Sequence, residues 1–153
     1  MDESIAYAKK YLEDLLSFFG LNTSVYATHE DEEVIELDIP STHLNGFLIG
    51  QRGDTMRALQ FTVSNALKNQ GYPVTRVNID VADYKKQRAQ KLQHEAEEWV
   101  KHVKETGEPF DVRPMNSADR RTVHNLAAEY GLTSESVGEG RDRHIVLKVS
   151  AEE

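Results

Sequence analysis

Apolar residues recur along this chain in two rhythms, and the changes between them outline its elements. Ile5, Ala8, Leu12, Leu15, Leu16 and Phe19 keep helical spacing and stop at Gly20, which predicts an amphipathic helix with one buried face. Residues 24–28 and 34–39 read as strands, the second alternating Ile35, Leu37 and Ile39 with Glu36 and Asp38. The acidic run 29–33 then serves as a hairpin turn, and Pro40 ends the second strand because it has no N–H for a ladder. Met56, Leu59, Val63, Ala66 and Leu67 mark a second helical face that stops at Gly71. Residues 75–81 follow as a half-buried strand.

A long helix is expected over 83–106, capped by Asp83, with Leu92, Ala96, Trp99 and Val103 as its apolar stripe. Gly107 and Pro109 break it. A short strand at 110–113 ends at Pro114, and a helix over 118–130 opens with Ser117 as N-cap and closes at Gly131. Two strands, Leu132–Val137 and His144–Val149, complete the chain, joined by a glycine-containing turn at 138–142. The fold class is α+β. Three segments are expected: a first domain at 1–82, a connecting helix at 83–106 and a second domain at 107–150.

Composition narrows the function classes. The 153 residues are 39% hydrophobic, enough for a core, and no apolar run approaches the roughly 18 residues of a membrane span. The absence of cysteine excludes disulfides and thiolate metal sites. No signal-peptide pattern opens the chain, so a soluble cytoplasmic protein is expected. The net charge of −8 argues at first against a polyanion partner, but it is unevenly spread. Residues 1–47 carry ten acids and two bases, whereas residues 48–104 carry six acids and ten bases. A local positive strip therefore sits inside an acidic protein.

That strip begins at Ile49-Gly50-Gln51-Arg52-Gly53, between the extended run 34–40 and the helical pattern from Thr55. Two glycines three apart let the backbone turn sharply and approach another molecule, with the following helix dipole aimed at the same spot. A plain turn and a phosphate cradle both satisfy this pattern. A nucleotide P-loop does not, because Gly53 is followed by Asp54-Thr55 rather than Lys-Ser/Thr. Lys85, Lys86, Arg88 and Lys91 crowd the start of the long helix, where bases oppose the dipole. They form either a solvated face or a polyanion-facing strip.

Arg120 and His124, with Arg121 alongside, lie on one face of the helix over 118–130, where both can donate to phosphate. A surface arginine beside a half-buried histidine is the plainer reading, and Asp119 is placed to pair locally. The other histidines form no convincing metal set. No nucleophile-elbow triad is present, so neither an enzyme nor a cofactor is indicated.

Together these residues resemble a known arrangement. Helix-strand-strand, then residues 49–60 (Ile-Gly-Gln-Arg-Gly-Asp-Thr-Met-Arg-Ala-Leu-Gln), then a strand, is similar to a type II KH domain of order α-β-β-α-α-β. Arg120-Arg121-Thr122-Val123-His124, preceded by Pro114-Met115-Asn116, resembles the single-stranded nucleic-acid module named for its Arg-x-x-x-His signature (the R-3-H domain: helix, strand, helix, two strands). In this order, joined by a basic helix, they resemble the Jag family of bacterial RNA-binding proteins, also called KhpB.

The resemblance implies that Gly50, Gln51, Arg52 and Gly53 touch phosphate. Arg57, Lys85, Lys86 and Arg88 would add positive charge, with Arg120, Arg121, His124 and Arg143 in the second module. Ile39, Leu48 and Ile49 would wall a groove for bases. It also implies non-catalytic binding of single-stranded RNA, with single-stranded DNA a further candidate. A link to post-transcriptional regulation, cell shape, elongation and division comes with it, as does a small stand-alone KH protein or self-association as a protein partner. The competing reading is an interaction scaffold with RNA incidental. The family's separate amino-terminal domain has no counterpart ahead of the first helix, and the loop carries one base where two are frequent.

Overall fold

A computed structural model describes residues 2–151. It is mixed α+β and divides into two compact units, Met1–Lys86 and Gln87–Glu153, each with its own core.

The first unit opens with α1 (Asp2–Ser17), whose Ala8, Leu12 and Leu16 are fully buried. Gly20, at φ 82°, lets the Leu21 N–H return to the Leu16 carbonyl at 3.2 Å, which closes the helix. Strand β1 (Tyr26–Thr28) runs antiparallel to β2 (Val34–Ile39), and β2 runs parallel to β3 (Arg76–Val81). The β1 register sets Tyr26 opposite Asp38, so pairing at residue 24 would fall on Pro40. Proline cannot supply the N–H, and β1 is accordingly two residues shorter than expected.

A parallel pair needs a crossover. Here it is made of α2 (Asn45–Ile49), a single turn of 3-10 helix (Gln51–Gly53) and α3 (Asp54–Asn69). The order is therefore α-β-β-α-α-β. Ile35, Leu37 and Ile39 of β2 and Val77, Ile79 and Val81 of β3 face Met56, Leu59, Val63 and Leu67 of α3 in one core. Gln60 and Ser64 of α3 also bond to β3, the edge strand of the sheet: Ile79 N–H donates to Gln60 Oε1 (3.1 Å) and Ser64 Oγ–H to the Thr75 carbonyl (2.6 Å). Side chains thus occupy edge groups that would otherwise invite another strand.

After β3, Ala82 and Asp83 both take positive φ (51° and 56°), and the chain reverses into α4 (Tyr84–Thr106). An N-cap residue is normally extended. Asp83 departs from that geometry, and Asp80 Oδ1 instead accepts the Lys85 N–H at 3.3 Å. This corrects the expected cap. From Leu92 onward α4 packs into the second core through Leu92, Ala96, Val100 and Val103. Val100 takes the buried place expected of Trp99, which is half-buried with the Arg113 guanidinium over its ring at 5.9 Å.

In the second unit, β4 (Phe110–Asp111), β5 (Leu132–Val137) and β6 (His144–Val149) form an antiparallel sheet with β6 central. Helix α5 (Ser117–Glu129) covers it with Val123, Leu126 and Ala127. Its N-cap is Asn116, whose side chain accepts the Asp119 N–H at 2.9 Å, so Ser117 is the first helical residue rather than the cap. Asn and Ser cap equally well. The choice is made upstream, where the buried Met115 donates its amide to the Arg143 carbonyl at 3.3 Å and sets where the chain leaves the sheet.

Candidate nucleic-acid interface

The loop between α2 and α3 has a backbone built for close approach. Gly50 (φ 71°, ψ −172°) lies where essentially only glycine is tolerated, and a Cβ there would collide with the Thr55 side chain and amide nitrogen. Arg52 (φ 55°) and Gly53 (φ 79°) are consecutive left-handed residues. Successive amides in such a turn converge toward one side, the geometry of an anion-binding concavity. Gly53 is the N-cap of α3 and offers no capping side chain, while the Asp54 N–H donates back to the Gln51 carbonyl.

Exposure is greatest in the middle of the loop. Gln51 and Arg52 are exposed, Gly50 is half-buried, and Gly53 is buried close to the Tyr84 ring. Arg57 does not extend freely into solvent. Its Nη1 donates to the Arg52 carbonyl at 3.0 Å and its Nη2 pairs with Asp54, so it braces the loop from behind. The free cationic tip is therefore Arg52.

The Tyr84 ring near Gly53 brings the start of α4 to the loop's flank, and Lys85 and Lys86 follow it, both exposed. Lys85 acts on the carboxylates of the sheet. Asp38 has its pKa raised by burial first, then by Asp80, Glu36 and Asp83, with Lys85 opposing the shift. Arg88 belongs to the other unit and pairs bidentately with Asp119 (3.0 and 2.5 Å), which is only 7% exposed. Asp119 thus reaches across to α4 rather than pairing locally, and Arg88 leaves the expected cationic strip. The groove wall also needs correction. Ile39 and Leu48 are fully buried core residues and only Ile49 is half-exposed, because Ile39 shares the inward face of β2 with Ile35 and Leu37.

Arg120 and His124 stand one turn apart on α5, both half-buried. Arg120 Nη1 donates to the Met115 carbonyl at 2.7 Å. His124 Nδ1 lies 2.6 Å from Ser134 Oγ, and Nε2 lies 3.0 Å from Ser136 Oγ. A neutral imidazole donates from one nitrogen and accepts at the other, and hydroxyls can serve either need. Both ring nitrogens are thus occupied within the fold, against the expectation that they point at phosphate. Sequence reasoning missed the two serines; their i, i+2 spacing on an alternating strand was the available signal. Arg143 Nη1 donates to the Gly138 carbonyl at 2.9 Å, and Arg121 is exposed.

The family model of the R-3-H domain matches residues 90–149. Over 149 residues, or 95% of its length, the chain is 30% identical to RNA-binding protein KhpB of Streptococcus pneumoniae. It is 26% identical to the proteins of that name from Clostridium symbiosum and Bacillus subtilis, over 147 and 148 residues. The chain is thus similar along nearly its whole length to proteins named KhpB. It spans 43% of the streptococcal relative, 66% of the clostridial one and 70% of the Bacillus one. Among the described residues, no helix is long and apolar enough to cross a membrane.

Proposed function

We propose that this chain binds single-stranded RNA without catalysis, through a KH-type backbone clamp in its first unit and the R-3-H surface in its second. The observation that carries this reading is the loop at residues 50–53. Positive φ at Gly50, Arg52 and Gly53, an exposed tip and an α3 start with no capping side chain suit a sugar–phosphate rail. The relatives' name, RNA-binding protein, supports the same ligand. Gln51, Arg52 and Lys86 add contacts in the first unit. Arg121 and the outer edges of Arg120 and Arg143 add them in the second. Arg57 acts by bracing the Arg52 carbonyl, and Arg88 and His124 by bonding to side chains within the second unit.

Two weak sites on one chain raise each other's local ligand concentration, so modest contacts add up to useful avidity. A role in post-transcriptional control of cell elongation and division would use such sequence-tolerant binding. The test is Gly53→Asp, which sets a carboxylate beside the phosphate path at a position where a Cβ meets only ordinary contacts. Binding of a short single-stranded oligonucleotide should fall at least tenfold at low salt, measured below a circular-dichroism melt lowered by the roughly 1–2 kcal/mol that a left-handed φ costs a non-glycine residue. Unchanged affinity would refute the clamp.

A further inference from the structure

Among the described residues, the large apolar side chains left exposed include two that touch each other beside the loop. Phe47 of α2 is 55% exposed and Phe19, just past α1, is 44% exposed. Their ring centroids lie 5.3 Å apart in an edge-to-face arrangement. Phe18 next to them is 85% exposed. Burial of the pair would be favourable, yet Leu48, the neighbour of Phe47, is the residue of α2 that enters the core.

Phe47 stands three residues before Gly50, and the Gly50 N–H donates to the Gly46 carbonyl at 3.0 Å. Ring and loop therefore share one helical turn, separated by about 4.5 Å of rise. The edge-on contact with Phe19 steadies the Phe47 ring against rotation.

From these positions we infer that Phe47, backed by Phe19, is a stacking platform for an unpaired nucleobase flanking the nucleotides held at residues 50–53. The inference rests on the clamp reading above. A base offers a flat π-face that an aromatic ring recognises with little regard to sequence. A protein partner fits less well, since two or three rings fall far short of the roughly 800 Å² per partner in a stable interface.

The test compares three probes of equal length, oligoadenylate, oligouridylate and an abasic ribose-phosphate oligomer, on the full chain. The wild type should bind oligoadenylate about tenfold tighter than the abasic oligomer, with oligouridylate between them. Phe47→Leu should remove that preference, leaving abasic affinity and the salt slope as they were. Phe47→Trp should restore it, with its indole emission quenched on binding. Phe19→Leu should lower it part of the way.

Three outcomes would overturn the platform. If Phe47→Leu binds oligoadenylate like the wild type while Gly53→Asp loses binding, the clamp stands and the platform alone falls. If Phe47→Leu changes sedimentation rather than base preference, the rings belong to a protein contact. Failure of the wild type to bind any probe would remove both readings. Loss of the adenylate preference in Phe47→Leu, with Gly53→Asp unaffected, would support the platform and refute the clamp.

Discussion

The glycine loop of the first unit and the Arg-x-x-x-His helix of the second, the two places proposed to meet nucleic acid, are built from different materials. In the loop, main-chain geometry does the presenting: Gly50, Arg52 and Gly53 take positive φ, and side chains such as Arg57 merely brace it. On α5 the signature side chains are engaged inward, Arg120 to the Met115 carbonyl and His124 to Ser134 and Ser136. The first is a surface made of backbone and held by side chains. The second is a scaffold made of signature side chains that leaves neighbours such as Arg121 to meet solvent. A motif residue is thus as readily a strut as a ligand, and its hydrogen bonds tell which.

Substitutions can break this contrast, beginning with the largest effect. Asp119→Ala removes the nearly buried carboxylate that accepts from both Arg88 guanidinium nitrogens and should lower stability by about 2–3 kcal/mol, as for lost hydrogen bonds to a charged group. Denaturant unfolding reads it. Gly50→Ala forces a Cβ into Thr55 at a glycine-only conformation, and a loss of about 2 kcal/mol is expected along with loss of oligonucleotide binding. The two variants separate the regions, since the first should leave binding at the loop intact in conditions where the protein stays folded.

His124→Ala leaves Ser134 and Ser136 without their shared partner and should lower stability by about 1–2 kcal/mol. Arg121→Ala should weaken low-salt binding a few-fold with no change in melting temperature. The reverse pattern, with His124→Ala silent in stability but damaging to binding, would make the histidine a ligand and erase the contrast.

The smallest effect is electrostatic. The raised pKa of Asp38, from burial and then Asp80, means its ionised form is less favourable folded than unfolded. That penalty is present above the folded pKa and disappears once pH drops below the ordinary carboxylate value near 3.9. Asp38→Asn should therefore stabilise at pH 7 by under about 0.5 kcal/mol, as for exposed charges screened by water. Thermal melts at pH 7 and pH 3.5 should show the gain in the first and not in the second.

Much of the fold was legible where periodicity was strong. Strands Leu132–Val137 and His144–Val149 have the expected bounds, although Val149 at the end of the second is exposed, and α1 and α3 follow their apolar faces. Boundaries slipped where a distant partner decided them. The start of β1 depends on Pro40 across the ladder, and the α5 cap depends on Met115 anchored to the Arg143 carbonyl. The loop was visible as two glycines in context, but its buried and exposed ends were not. The partners of Arg88 and His124 lie 31 residues away and 10 and 12 residues away, respectively. No local spacing rule connects such pairs.

Hydrophobic rhythm, turn residues and two short motifs, all local properties of the chain, determined the element order, the α+β class and the resemblance to KhpB proteins. Tertiary structure alone decided which cations stay available, because ion pairs and caps are selected by which surfaces meet when the cores close. Hydrogen-bond partners within about 3 Å are a three-dimensional fact. A sequence names the groups that can bond, and packing chooses among them.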